Sequence, residues 1–175
     1  MKIIYRATDQ FMATVRRDLV RKHPFAEERV GFISVKAAQT GEGLLLLAEN
    51  YYPVEDNDYL YDTNVGAMMG PDAIRKALNI ALLNPVGIVH VHMHFYPGRL
   101  WFSRTDLREQ LKFVPDFFKV RRDMPHGAMV LSPYTAAGRM WLSPDTIEPI
   151  SEFDTSGSHV RISRSAADGS VDFYT

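Results

Sequence analysis

The chain has 175 residues, six histidines, no cysteine and a formal charge of −1 from 20 basic and 21 acidic side chains. That length suits one domain whose core buries about two thirds of the chain's surface, and the charge balance leaves no broad electropositive face for nucleic acid. Without cysteine there is no thiol nucleophile, disulfide framework or Cys-based zinc site, so a metal must be held by His, Asp or Glu.

The N-terminal MKIIYRATDQF lacks the apolar core of a secretion signal, and no apolar run approaches the roughly 18 residues of a membrane span, so a soluble, cytoplasmic protein is expected. Met1 to Tyr5 read as a strand. Thr8 or Asp9 can cap a helix striped by Phe11, Met12, Val15, Leu19 and Val20, which His23-Pro24 ends. Glu28 stands at the entrance of a β-branched and aromatic run through Val35. After the Gly41-Glu42-Gly43 turn, Leu44 to Ala48 is an apolar strand that pairs with it. Tyr51 to Asn64 is a loop rich in Tyr and Asp that would grip a basic or extended peptide or else simply cover the surface. Pro71 opens a helix with Ile74, Ala77, Leu78, Ala81 and Leu82 inward, and Asn84-Pro85 stops it.

Val86 to Asp106, VGIVHVHMHFYPGRLWFSRTD, concentrates the chemistry. On a strand, His90, His92 and His94 form one column with steps of roughly 6.6 Å, so two neighbours can share a metal ion. Beyond the Pro97-Gly98 turn, Ser103-x-x-Asp106 opens a helix with Leu107 and Leu111 inward, which Pro115 interrupts. Gly127 to Leu131 and Arg139 to Leu142 are strands around a Pro133 to Gly138 turn. Residues 1–150 thus form one domain, and 151–175, rich in Ser and Asp, read as a loosely packed tail. The loose alternation of strands and helices predicts an α/β sandwich with a curved mixed sheet flanked by helices.

Several site classes contain His-x-His. A metallo-β-lactamase pattern needs Asp at 94, a cupin needs a Glu between Phe95 and Trp101, a TIM barrel needs roughly 200 residues or more, and His-Glu-x-x-His is absent. More than one reading survives; in the first, His92, His94 and Asp106 bind zinc with a fourth position open for water, and Glu28 would be the base. These residues resemble the JAMM (MPN+, Prok-JAB) metalloproteases, whose motif is a distant Glu, then His-x-His, seven residues and Ser-x-x-Asp. The chain supplies Glu28-x-x-Gly31, which fits better than Glu27, then His92-Met93-His94 and Ser103-x-x-Asp106. The gap before Ser103 is eight residues, and Met93 and Phe95 replace the usual Ser and Pro. The resemblance spans most of residues 1 to about 145.

The resemblance implies a single-domain MPN/JAB-like (cytidine-deaminase-like) fold and one zinc ion on His92, His94 and Asp106. It also implies Glu28 as general base and acid and Ser103 as oxyanion donor. The implied substrate is a peptide or isopeptide bond at the C-terminal tail of a ubiquitin-like protein, with conjugation-type enzymes from the same operon as partners. His90 stands behind the pair. Two other readings remain open: a histidine-triad nucleotide hydrolase or transferase with His92 as nucleophile, from His90-φ-His92-φ-His94-φ-φ, and a non-catalytic scaffold of the same fold. His23, His126 and His159 read as structural or exposed. Ser103-x-x-Asp106 is also a helix-capping pattern.

Overall fold

The computed structural model describes residues 1–23, 26, 28–61, 66–95 and 98–172. Its centre is a nine-stranded mixed sheet in the order β10-β9-β1-β3-β2-β4-β6-β7-β8. The strands are β1 (Ile3–Thr8), β2 (Val30–Thr40), β3 (Gly43–Pro53), β4 (Gly87–Met93), β6 (His126–Leu131), β7 (Ala136–Ser143), β8 (Thr146–Pro149), β9 (Glu152–Ser156) and β10 (Val160–Arg164). Two short strands, β5 (Arg99–Leu100) and β11 (Val171–Asp172), pair separately. The helices are α1 (Asp9–Leu19), α2 (Pro71–Leu83) and α3 (Arg104–Phe113). The chain is therefore α/β, with a large curled mixed sheet flanked by a few helices.

Every residue of β4 is buried, because both of its faces are covered. Val89, Val91 and Met93 turn toward α1 and pack with Met12, Val15 and Leu19. Ile88 turns the other way, toward Ala73, Ala77 and Ala81 of α2. His90 and His92 share that second face by the strand's period of two.

Local chemistry explains most boundaries. Thr8 caps α1 by accepting the Phe11 N–H at 3.1 Å. The helix ends at Leu19 with Val20 as its C-cap, short of His23, and Val20 is exposed rather than part of the buried stripe. Pro24 lies outside the described residues. The β2–β3 hairpin turns at Gly43, whose φ of 138° suits glycine and whose Cα approaches the Lys2 carbonyl too closely for a side chain. The strand continues to Pro53, so Tyr51 and Tyr52 belong to the sheet and not to a loop. In α2 the buried face is Ala73, Ala77 and Ala81, while Leu82 is exposed. In α3 the buried residue is Gln110, and Leu111 faces solvent.

The expected loose tail is instead part of the sheet. Strand β9 runs parallel to β1, with Tyr5 opposite Phe153, and β10 closes the edge. Its acids misled the composition: Glu152 and Asp154 are buried, paired with Lys2, Arg164 and Arg6.

His126 ties β6 to β4. Its Nδ1 accepts the Ile88 N–H at 3.1 Å, which leaves the proton on Nε2 to bond the Arg121 carbonyl at 2.9 Å. Burial pushes this fully enclosed imidazole down to about 4 from its ordinary 6.5, and a second proton would have to face the Ile88 N–H. The unfolded chain therefore binds the proton first, so stability is full above pH 6.5 and falls as pH drops toward 4. The share from His126 is at most about 3 kcal/mol. Denaturant midpoints of chelator-treated protein should be level from pH 8 to 6.5 and decline below. His126→Gln, whose amide can make both bonds without titrating, should make that decline shallower, the remainder belonging to His90, which burial pushes down to about 3; an equally steep decline in the variant would remove His126 as a source.

Candidate metal centre

Register brings a distant acid to the histidines. Strands β2 and β4 are antiparallel with Val30 opposite His92. Continuing that pairing by two residues sets Glu28 against His94, on the same face as His92. His94 stands one residue beyond β4, yet its N–H still bonds the Leu131 carbonyl at 2.9 Å, which prolongs the ladder. One ligand atom each from Glu28, His92 and His94 lie within 4.8 Å of one another, so this group could hold a metal ion.

The entry of β2 is clamped. Arg29, only 4% exposed, donates to the carbonyls of Arg21 and Lys22 and to the Asp56 carboxylate. Glu28 N–H bonds the Gly66 carbonyl at 2.8 Å, and a Cβ built on Gly66 would stand 2.8 Å from the Glu28 carboxylate. A side chain on Gly66 would therefore displace the Glu28 carboxylate from its present position. Glu27 lies outside the described residues, as do 62–65 of the tyrosine loop and Pro97 of the turn after the histidines.

The second carboxylate comes from α3. Ser103 is the N-cap: its Oγ accepts the Asp106 N–H at 3.1 Å, and its own N–H donates to Asp106 Oδ2 at 2.7 Å. The same Oδ2 lies 3.4 Å from His92 Nε2 and 3.5 Å from His94 Nε2, and the two nitrogens are 3.2 Å apart. A tetrahedral ion with bonds of 2.0–2.1 Å separates its ligand atoms by about 3.3–3.4 Å. Three atoms from two elements thus already stand at the spacing of three corners, and imidazole with carboxylate is a donor set that suits zinc.

Protonation favours ligation. Burial, then the charge on His92, hold the His94 imidazole below its ordinary value, against the Asp106 charge and a hydrogen bond to the Trp101 backbone that supports the ring from behind. Burial alone would raise Asp106, but its contacts with His92 and Ser103 outweigh it and leave the carboxyl well below the usual range. His94 is neutral and Asp106 ionised at pH 7, the forms a metal requires.

His90 lies deeper and is not in the group that could hold a metal among the described residues. Its ring packs edge-on to Phe32 and Phe113, and burial with the His92 charge pushes it down to about 3. His159 is exposed. Met93 is buried on the α1 face, and Phe95 stands exposed past the histidines.

The centre opens into a cavity of about 280 Å³ with Glu28 and Gly66 on one side and Asp106, Gln110 and Phe113 on the other. Gln110 was not singled out in the sequence, although it lies one turn after Asp106 on the same helical face. It is 2% exposed, its Oε1 accepts from Arg139 Nε at 2.8 Å, and its buried Nε2 has no partner. Arg139 is itself fixed, over the Trp141 ring and bonded to the Leu107 carbonyl. Gly66 too was missed; nothing in its neighbourhood marks it.

The protein should bind one zinc ion per chain, raising the melting temperature by about 5–10 °C when free zinc is a hundred times the Kd. His92→Ala and Asp106→Ala should each abolish most of that rise, and acidification below the ordinary imidazole range should do the same as protons displace the metal. Metal analysis and thermal scans with and without chelator decide it; an undiminished rise in Asp106→Ala would remove that carboxylate from the ligand set. No protein-family model matches the chain and comparison with curated proteins finds no significant match, so the functional reading rests on this geometry and on the motif.

Proposed function

We propose that the chain is a zinc-dependent metallopeptidase of the JAMM (MPN+, Prok-JAB) type, hydrolysing a peptide or isopeptide bond at the C-terminal tail of a ubiquitin-like modifier. The observation that carries this is the triangle of His92 Nε2, His94 Nε2 and Asp106 Oδ2, with sides of 3.2 to 3.5 Å and the Glu28 carboxylate beside it. His92, His94 and Asp106 are the ligands. Glu28 also lies near enough to be one, but Asp106 matches the corner spacing, and that frees Glu28 for proton transfer.

Bound zinc would supply a Lewis acid and bring the pKa of water down to about 7. Glu28, held through its own N–H by Gly66, takes the water's proton and passes it to the departing amine. Ser103 keeps a hydroxyl hydrogen while its oxygen caps α3, and that hydrogen bonds the developing oxyanion. Gln110 Nε2, aimed by Arg139, donates to a backbone carbonyl of the substrate.

A neighbouring groove of about 380 Å³, sharing Ala67, Met69 and Phe113 with the metal cavity, supports an extended peptide as substrate. Met68 and Ile74 make it apolar, and Arg108 and Lys112 border it along α3. The modifier as substrate, and conjugation-type enzymes as companions, follow from the motif's resemblance.

The assay is cleavage of a small β-grasp modifier fused at its C-terminus to a reporter. Glu28→Gln should keep its zinc and lose about 10²–10⁴ in kcat. Gly66→Ala, which pushes the Glu28 carboxylate aside, should lose at least about tenfold in kcat with zinc content unchanged. Gln110→Leu should mainly raise KM, by about tenfold. Full activity in Glu28→Gln would overturn the mechanism, and activity in zinc-free protein would overturn the class.

A further inference from the structure

We propose that the α1 face of the sheet carries a second binding site, for a small anion, a carboxylate or phosphate, attached to a flat or aliphatic apolar group. The site is a cavity of about 380 Å³ between α1, β1, β9, β10 and the turn from β6 to β7. It stands apart from the metal centre by strand alternation. Tyr5, Met12 and Phe153 pack in the core that holds Val89, Val91 and Met93, whereas His90 and His92 point to the opposite face.

Its polar lining includes buried hydroxyls that are weakly answered or not answered at all. Thr135 is 3% exposed, and its Oγ1 has no hydrogen-bond partner. Tyr5 is 1% exposed, and its hydroxyl reaches only the Met12 sulfur at 3.8 Å, a weak acceptor. Arg16 is oriented by bonds from Nε to the Ser132 carbonyl and from Nη2 to the Thr135 carbonyl, at 2.9 and 3.3 Å. Arg161 joins the lining from β10 and forms no ion pair among the described residues.

Two guanidinium groups close enough to repel, with two buried hydroxyls beside them, form a lining that an anion satisfies at once. Asp9 is the one acid in the lining and leaves the pair with a net positive charge. Met12, Ala136, Phe153 and Ile162 supply apolar walls, so the ligand's body is apolar. The volume is that of a small-molecule pocket.

Calorimetric titration of chelator-treated protein at pH 7.5 tests this, with phenyl phosphate and benzoate as probes and benzyl alcohol as the uncharged control. At least one anion should bind saturably in the millimolar range or tighter, and benzyl alcohol should not. Arg161→Gln, at an exposed position, should weaken binding about tenfold, and Thr135→Val by several-fold. Asp9→Asn, which removes the opposing charge, should tighten it. His92→Ala should leave it unchanged. Three results would overturn the site: no saturable binding of either anion, equal affinity in Arg161→Gln, or loss of binding in His92→Ala, which would assign the anion to the metal centre.

Discussion

The pairing of Val30 with His92 is the constraint on which the candidate centre depends. It determines that Glu28, far upstream in sequence, meets His94. A slip of one residue between β2 and β4 would turn the acid to the other face of the sheet. The register is held from several sides. Val30, Phe32, Ile33 and Val35 are buried, so a slip would misplace two faces at once. Gly31 lies under the Tyr51 ring, where a Cβ would stand 2.5 Å from the ring, and the Tyr51 hydroxyl is tied to Asp18 at 2.6 Å. The glycine of Glu28-x-x-Gly31 is thus part of the same device as the acid, since it lets a cross-strand tyrosine brace the stretch that carries it.

On α3 one arrangement serves two ends. A capping box and a metal-ligand motif make competing readings of Ser103-x-x-Asp106 in sequence, but they are compatible in space. The cap holds the Asp106 carboxylate by the Ser103 N–H, and the oxygen so held is the one facing both imidazoles. A carboxylate on a free rotamer would lose side-chain entropy on ligation; here the helix start has already restricted it.

What could be read from the sequence was what depends on near neighbours. The period of two in the histidines, the Pro71 helix start, the Gly41-Glu42-Gly43 turn and the spacing of Ser103 from Asp106 are local, and local geometry follows from them. The failures share a cause of the opposite kind. Glu152 and Asp154 look like a solvated tail until Lys2 and Arg6, nearly 150 residues away, neutralise them. Gln110 looks like a surface residue of α3 until Arg139 bonds its amide. Gly66 matters only because the Glu28 carboxylate is folded against it. In each case the partner lies too far along the chain for periodicity to register.

The same sheet presents two chemically opposite cavities because alternation along its strands separates them. Toward α2 and α3, the carboxylates of Glu28 and Asp106 meet the imidazoles of His92 and His94, an environment for a cation. Toward α1, Arg16 and Arg161 meet the unpartnered Thr135 hydroxyl and the weakly bonded Tyr5 hydroxyl. The two share a structural member: the Leu131 carbonyl bonds the His94 N–H, and the next residue's carbonyl, on Ser132, bonds Arg16. Two consecutive peptide units thus hold a residue of the candidate centre on one side of the sheet and a guanidinium on the other. Any displacement of the β6–β7 turn is therefore felt at both faces.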